Sequence, residues 1–343
     1  MITLLLAVGI STLVSLVGTK LLILWLTRRA IGQPIHEDVP EGHLVKAGTP
    51  PMGGIAIVVG GMAGYVGSNL YYGVFTWTGI AVMLAIGGAG LVGFLDDWIK
   101  IANERNLGLG KGAKLGGLLA VAIGFTLLML WRTNVHTTIS FTQWYDLSWE
   151  LGKVGWAVWA VLLILGSSNA VNLTDGLDGL AAGSAGLVFA GYLVIGYWIF
   201  RYSGFYGINV GLDLAIVAAA MMGACAGFLW YNAAPAQIFM GDTGSLAIGT
   251  GLATLALSSS TALLLPILGL LFVIETTSVI LQVASFRLFG RRIFKMAPIH
   301  HHFELKGWPE TRVIIRMWML TAACTALGLG LFYREFIRGG GLG

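Results

Sequence analysis

The chain has 343 residues, of which 57% are hydrophobic and only 10% charged, and its formal net charge is +4. Mean hydropathy is +0.83, whereas a soluble domain carries about 25% charged residues. A soluble fold is excluded, and the scattered basic residues give no reason to invoke nucleic acid. The composition implies one all-α polytopic membrane domain spanning 1–343.

A membrane span needs about 20 apolar residues. Ten such stretches follow one another, roughly 3–27, 52–72, 77–98, 115–131, 155–173, 178–200, 211–231, 242–258, 262–289 and 313–334. The first is too long for the h-region of a signal peptide and lacks a basic start and a small-residue cleavage site, so it reads as an uncleaved span. Ten spans put both termini on one side. The cytoplasmic loops are then about 28–51, 96–114, 172–178, 231–241 and 287–312. Counted to Arg316, these connections hold 14 of the 20 Lys+Arg; five lie on the opposite side and Lys20 lies inside the first span. The positive-inside rule therefore makes both termini extracytoplasmic.

Taken in chain order, the polar residues within this apolar background carry the chemistry. Lys46 lies in KAGTPPMGG, just before the second span, where a lysine is a topology signal and also a point-charge partner for phosphate. Gly60, Gly64, Gly87 and Gly88 read as close helix contacts. Asp96, Asp97 and Lys100 end the third span as DDWIK. Asp96 and Lys100 share a helical face, while Asp97 points about 100° away. Adjacent carboxylates repel, which raises the pKa of one of them or recruits a cation. Trp144, Trp149 and Trp156 read as an interfacial belt.

Asn169, Asn172 and Asp175 recur every three residues in NAVNLTDGLDG, near one helical face, and Gly176, Leu177, Asp178 and Gly179 follow. This set suits a metal, a base edge or a ribose. Cys225 and Cys324 lack metal spacing and read as packing residues. Asp242 opens the eighth span in FMGDTGS. It is placed to cap that helix, and equally to hold Mg²⁺ against a phosphate, because Mg²⁺ is held by carboxylates together with substrate phosphates. Leu265-Pro266 is a candidate kink in the ninth span. His300, His301 and His302 cannot all face one way on a helix, and their spacing is poor for zinc. Beside Arg291, Arg292, Lys295 and Lys306 they suit anionic groups such as a diphosphate.

The acids are too costly for lipid: one Asp at the bilayer centre costs about 2.5–3.5 kcal/mol on the mildest scale. All five fall at the cytoplasmic edge, in a cleft with basic residues. That pattern suggests metal-assisted phosphoryl transfer onto a lipid-borne acceptor.

The motifs FLDDWIK, NAVNLTDGLDGLA, FMGDTGSLAIG and PIHHHFELKGWPE resemble those of the polyprenyl-phosphate N-acetylhexosamine-1-phosphate transferases. The likeness extends over essentially the whole chain. The HHHFELKGWPE run is similar to the branch that uses UDP-N-acetylmuramoyl-pentapeptide. The resemblance implies ten transmembrane helices, a homodimer in the bacterial cytoplasmic (inner) membrane, and Mg²⁺ as cofactor. It implies transfer of the phospho-sugar to undecaprenyl phosphate with release of UMP.

Under that resemblance Asp242 matches the metal ligand, and Asp96 the acid that deprotonates or orients the lipid phosphate, with Asp97 its companion. Gly176, Leu177, Asp178 and Phe239 match the uracil pocket, near Lys46 and Asn232, and Asp175 matches a neighbouring site acid. His300, His301 and His302 match a histidine motif near the diphosphate and sugar, and Gln282 a position in the mobile half of the ninth helix. Asn169, Asn172 and Lys100 join the substrate-binding candidates through the faces they share. The chain departs from the family at Pro51, where threonine is usual, and at His36, where arginine is common. Direct displacement and a phosphoenzyme both remain open. Direct attack is favoured because a phosphate monoester, with a second pKa of about 6, is already largely ionised at neutral pH. Two other readings are a sister enzyme using UDP-N-acetylglucosamine and an ion-coupled transporter.

Overall fold

The computed structural model describes residues 1–29, 48–103, 108–147 and 149–340. Lys46, His36 and His43 lie outside the described residues. The first half of the chain forms α1 (Ile2–Arg28), α2 (Gly54–Tyr72), α3 (Trp77–Ala102), α4 (Lys111–Arg132) and α5 (Gly152–Thr174). It continues as α6 (Leu180–Arg201), α7 (Ser203–Tyr206), α8 (Gly211–Asn232), α9 (Gly241–Ser258) and α10 (Leu265–Leu268). The last helices are α11 (Leu270–Phe289), α12 (Ile299–Glu304) and α13 (Glu310–Arg338). Between α4 and α5, β1 (Thr138–Ile139) pairs antiparallel with β2 (Trp149–Glu150).

The ten expected spans correspond to the ten long helices. Among the described residues nine helices are long and apolar enough to cross a membrane. The tenth, α9, is 18 residues long and carries Thr243, Ser245, Thr250, Thr254 and Ser258. It tolerates them because every residue from Thr243 to Ser258 is buried in protein, with α2, α3 and α5 packed around it. Its hydroxyls bond inward: Thr254 donates to the Thr250 carbonyl at 2.8 Å, and Ser168 and Thr250 share a hydrogen bond of 2.8 Å. At 1.5 Å per residue it is about 27 Å long, close to the roughly 30 Å of a bilayer core. It starts beside Asp97 and ends near β1, where Leu263 N–H donates to the Ser140 carbonyl at 3.0 Å. It therefore runs the full height of the bundle, and a hydropathy reading that assumes contact with lipid understates it.

Alternation of the helices is visible at both ends. At one end the start of α9 meets the end of α3 and the start of α2. At the other, Asp213 in the first turn of α8 gathers the end of α2 and the start of α3. It accepts from Thr76 N–H at 2.9 Å and Thr76 Oγ1 at 2.6 Å, from Asn69 Nδ2 at 3.2 Å and from Tyr65 Oη at 3.2 Å. The start of α1 and the end of α13 lie at this Asp213 end. Gly60 and Gly64 of α2 face Ser11, Ser15 and Ala7 of an antiparallel α1, and Gly339 meets Phe205 of α7.

The ninth expected span is broken near the Leu265-Pro266 pair: Pro266 sits in the first turn of α10, and α11 begins after Gly269. Cys225 and Cys324 are free and buried. The aromatic belt holds in part. Trp149 is exposed, but Trp156 is buried in the core, because its turn of α5 faces inward, and Trp144 stacks on His136.

Glycine brings α3 against the start of α9. A Cβ at Gly93 would fall on the backbone of Asp242 and Thr243, so a methyl group must push the two helices apart. Gly93→Ala is expected to destabilise the protein by about 1–3 kcal/mol, the usual cost of overpacking. Thermal unfolding in detergent checks this; an unchanged melting temperature would mean that the interface yields freely.

Candidate active site

The site is built around the entry to α9. The chain turns into the helix at Gly241, whose φ of 73° lies in the left-handed region that glycine adopts at little cost. The first amides of a helix need acceptors from outside it. Asp97, near the end of α3, supplies them. Thr243 donates to Asp97 Oδ2 from N–H at 3.0 Å and from Oγ1 at 2.7 Å. Asp242 N–H donates to Asp97 Oδ1 at 3.2 Å. An anion at this end also gains from the helix dipole. Asp242 therefore does not cap its own helix, which corrects that part of the sequence reading. Because Asp97 does so from across the interface, the Asp242 carboxylate is left to point into the site.

Three other helices converge on that carboxylate. Asn172, from the last turn of α5, donates to Asp242 Oδ1 and to Ser245 Oγ at 2.8 Å. Lys100 Nζ and Lys114 Nζ approach Asp242 Oδ2 at 2.9 and 2.7 Å. Lys100 Nζ also lies 2.6 Å from Asp96 Oδ2 and 3.5 Å from Asp97 Oδ1. The (i, i+4) spacing expected of Asp96 and Lys100 is thus used, and Lys100 is the cation the three acids share. Asp96 Oδ1 accepts from Leu109 N–H at 2.8 Å. Asp96 and Asp97 are buried, where an unpaired charge would cost several kcal/mol.

The carboxylates of Asp96, Asp97 and Asp242 each offer an oxygen, and these atoms lie within 4.8 Å of one another. Hard oxygen donors this close suit Mg²⁺. Three carboxylates against two ammonium groups leave one formal negative charge, so a further cation fits the balance.

The NLTDGLDG segment leaves α5 at Thr174 and crosses the site. Asp175 is half-buried beside these acids. Burial, then the charges of Asp242, Asp97 and Asp178, push its carboxyl up to about 8. Gly176 is exposed. Asp178 Oδ2 accepts from Ala236 N–H at 2.9 Å, and Asp178 N–H donates to Glu310 Oε1 at 3.0 Å. Asn232 bonds at both ends of its amide: its Oδ1 accepts from Gly179 N–H at 3.0 Å and its Nδ2 donates to the Ile238 carbonyl at 2.9 Å. It fastens two loops together. Phe239 pairs through its backbone with Pro50 and Gly53, each at 2.8 Å. Leu177 is buried among Leu180, Leu271 and Val313, so it packs beneath the site.

The histidines take separate partners, as their spacing requires. His300 is buried, with Nδ1 3.0 Å from Glu275 Oε2. His301 Nδ1 lies 2.7 Å from Glu304 Oε2. His302 Nδ1 accepts from Lys295 N–H at 3.1 Å. Desolvation, then Lys306 and Lys295, hold the His302 imidazole below its usual range, as a ring nitrogen that accepts requires. Gln282 ties the 291–298 loop to α11: its Oε1 accepts from Ile293 and Phe294 N–H at 3.0 and 2.9 Å, and its Nε2 donates to the Phe294 carbonyl at 3.0 Å. Asn169 lies one turn before Asn172, exposed, and donates back to the Leu165 carbonyl at 2.8 Å; it stays apart from the cluster.

Sequence reasoning missed Lys114, Ser245, Glu275 and Glu310. Lys114 had the same signal as Lys46, a basic residue at a span edge, but nothing in the sequence pairs it with Asp242 across 128 positions.

Comparison with known proteins agrees with this geometry. Residues 79–260 match glycosyl transferase family 4. The chain belongs to glycosyl transferase family 4. It is 50% identical to the phospho-N-acetylmuramoyl-pentapeptide-transferase of Frankia alni, over 98% of this chain and 98% of that one. It is 48% identical to the protein of that name from Streptomyces avermitilis, over 94% and 95%. It is 49% identical to that of Mycolicibacterium paratuberculosis, over 97% and 98%. The matched segment runs from the first turn of α3 to just past α9 and so contains every acid of the cluster.

Two outcomes follow. Asp97→Ala removes an interhelical cap, worth about 0.5–2 kcal/mol, and lets the Asp242 turn shift, so it lowers both melting temperature and activity. Asp97→Asn, which keeps one acceptor, loses less stability. In chelator-treated protein, the Asp175 carboxyl titrates near 8 folded and near 3.8 unfolded. The stability it contributes is full below the lower value and is lost as pH rises through the higher one. The melting temperature therefore falls between pH 5 and pH 8, and Asp175→Asn flattens that fall; an equal fall in the variant would reassign the effect.

Proposed function

We propose that this enzyme transfers phospho-N-acetylmuramoyl-pentapeptide from its UDP-linked donor to undecaprenyl phosphate, at the cytoplasmic face of the bacterial inner membrane. An oxygen of the lipid phosphate attacks the sugar-bearing phosphorus, the bond to UMP breaks, and UMP leaves with the electron pair. The observation that carries this reading is the Asp96–Asp97–Asp242 cluster bridged by Lys100, with Lys114 paired to Asp242, at one end of a membrane bundle. The named transferases that match half of the residues over nearly the full length support the same substrates.

The residues divide the work. Asp97 fixes the α9 entry and so the direction of Asp242. Lys100 and Lys114 are point charges suited to diphosphate oxygens. Asp96 positions the lipid phosphate, which needs no strong base because it is already largely ionised. Asp242, with Asp96, would hold Mg²⁺, which when bound neutralises charge on the transferring phosphoryl group. A transporter would place its acids near the bilayer midplane. Here they sit at one end, and the buried Asp213 at the other end is occupied by neutral donors.

Purified protein with undecaprenyl phosphate and Mg²⁺ is expected to release UMP from UDP-N-acetylmuramoyl-pentapeptide and not from UDP-N-acetylglucosamine. Release from the second donor alone would move the chain to the sister activity. Asp242→Asn should cut turnover by at least about 100-fold while leaving the melting profile folded. Full activity in that variant would remove Asp242 from the metal site.

A further inference from the structure

The end of α11 stands almost clear of the rest of the protein. From Leu281 to Ile293 only Ser285 is buried. Yet the segment carries Phe286, Leu288, Phe289 and Ile293, and Leu288 and Phe289 are 74% and 70% exposed. An apolar face of this kind marks a binding or membrane surface. The segment is also basic. Arg287, Arg291, Arg292 and Lys295 fall between Glu275 and Glu304 with no acid among them. Among the described residues, Arg287, Arg291 and Arg292 form no ion pair.

Local geometry turns these two properties into a site. Gly290, at φ 64°, ends α11 in the left-handed conformation that lets the chain reverse. The returning segment is then fastened along the helix. Ser285 Oγ donates to the Arg291 carbonyl at 2.9 Å, and Gln282 Oε1 accepts from Ile293 N–H at 3.0 Å. Between helix and returning segment lies a cavity of about 460 Å³. Leu281, Ala284 and Leu288 line it from α11, and Arg291, Arg292 and Ile293 from the other side. No residue of the acid cluster lines it, and none of the three histidines does. The sequence groups Arg291 and Arg292 with those histidines as partners for a diphosphate, whereas the fold gives the two arginines a cavity of their own.

Charge and apolarity together select the occupant. Apolar walls beside two guanidinium groups match a molecule with an acyl chain and an anionic headgroup. A guanidinium binds phosphate oxygens in a bidentate fork, and basic residues just beyond a membrane helix draw anionic headgroups. The cavity lies at the end of a helix long and apolar enough to cross a membrane, so bilayer lipid is the molecule at hand. A soluble anion would leave the apolar walls bare.

We infer that the cavity between α11 and the 291–293 segment binds one anionic phospholipid of the bilayer. Arg291 and Arg292 hold its phosphate, and the upper part of an acyl chain lies against Leu281, Ala284 and Leu288. The lipid anchors this arm at the membrane surface and takes no part in the reaction.

The test is native mass spectrometry of the purified full chain, delipidated in non-ionic detergent and offered equal amounts of phosphatidylglycerol and phosphatidylcholine. A single phosphatidylglycerol is retained in preference, by about ten-fold. Arg291→Gln with Arg292→Gln lowers that preference below about two-fold. Arg28→Gln with Arg29→Gln, an equal loss of charge at the same end of the bundle, keeps it. Ala284→Phe fills the cavity and weakens retention about five-fold with both arginines in place; if that variant does not fold, the two arginine pairs decide the matter. Equal retention of both lipids by the unsubstituted chain, an equal loss in the two arginine pairs, or full retention in a folded Ala284→Phe would overturn the inference. So would displacement of the bound phosphatidylglycerol by an equal amount of undecaprenyl phosphate, which would give the cavity to that lipid instead.

Discussion

A carboxylate at the start of α9 can remain charged inside a membrane bundle because two ammonium groups reach it. Lys100 and Lys114 come from different helices, and Asn172 from a third. Each contact fixes where a helix end can sit, so the electrostatic requirement is also an architectural one. Loss of one partner would leave a buried charge uncompensated, which is far costlier than the pair itself is stabilising. The close approach that makes the network possible comes from glycine at Gly93 and Gly54, whose Cβ atoms would strike the first turn of α9. Packing and charge thus specify the same arrangement.

Within the cluster, adjacent acids have different duties. Asp97 spends both oxygens on the backbone and hydroxyl of the α9 entry. Asp96 and Asp242 hold the closer contacts to the lysines, at 2.6 to 2.9 Å. Asp213 offers an instructive contrast: it too opens a helix and is fully buried, yet all its partners are neutral donors. Neutral donors close a carboxylate off, whereas lysines can exchange it for a metal or a phosphate. The two ends of the bundle therefore use the same residue type for fastening and for chemistry.

The second wall of the site is a folded arm. Gln282 and Ser285 bind the 291–298 loop to the end of α11 through its backbone, and the Glu275–His300 pair joins α12 to the second turn of the same helix. The α11 end, the loop and the histidines are consequently one mechanical unit. Any shift of α11 is transmitted to the ring nitrogens beside Gly176.

The membrane class, the ten long helices and the clustering of acids at one face were legible in the sequence, because apolar length and charge placement are properties of local segments. The four motifs were legible as well, and with them Asp96, Asp97, Asp242 and the three histidines. Tertiary structure alone decided the partners. Asp242 reads as a cap from its position, yet Asp97 takes that role because an interhelical contact of near-ideal geometry competes with the local one. That Asn232 and Gln282 hydrogen-bond to loop backbones is likewise visible only in the fold. Lys114 carried only the signal of an ordinary edge lysine, and Glu275 only that of a lone acid in an apolar helix. Their meaning depends on groups distant in sequence, and proximity across a fold is what a linear pattern of residues does not contain.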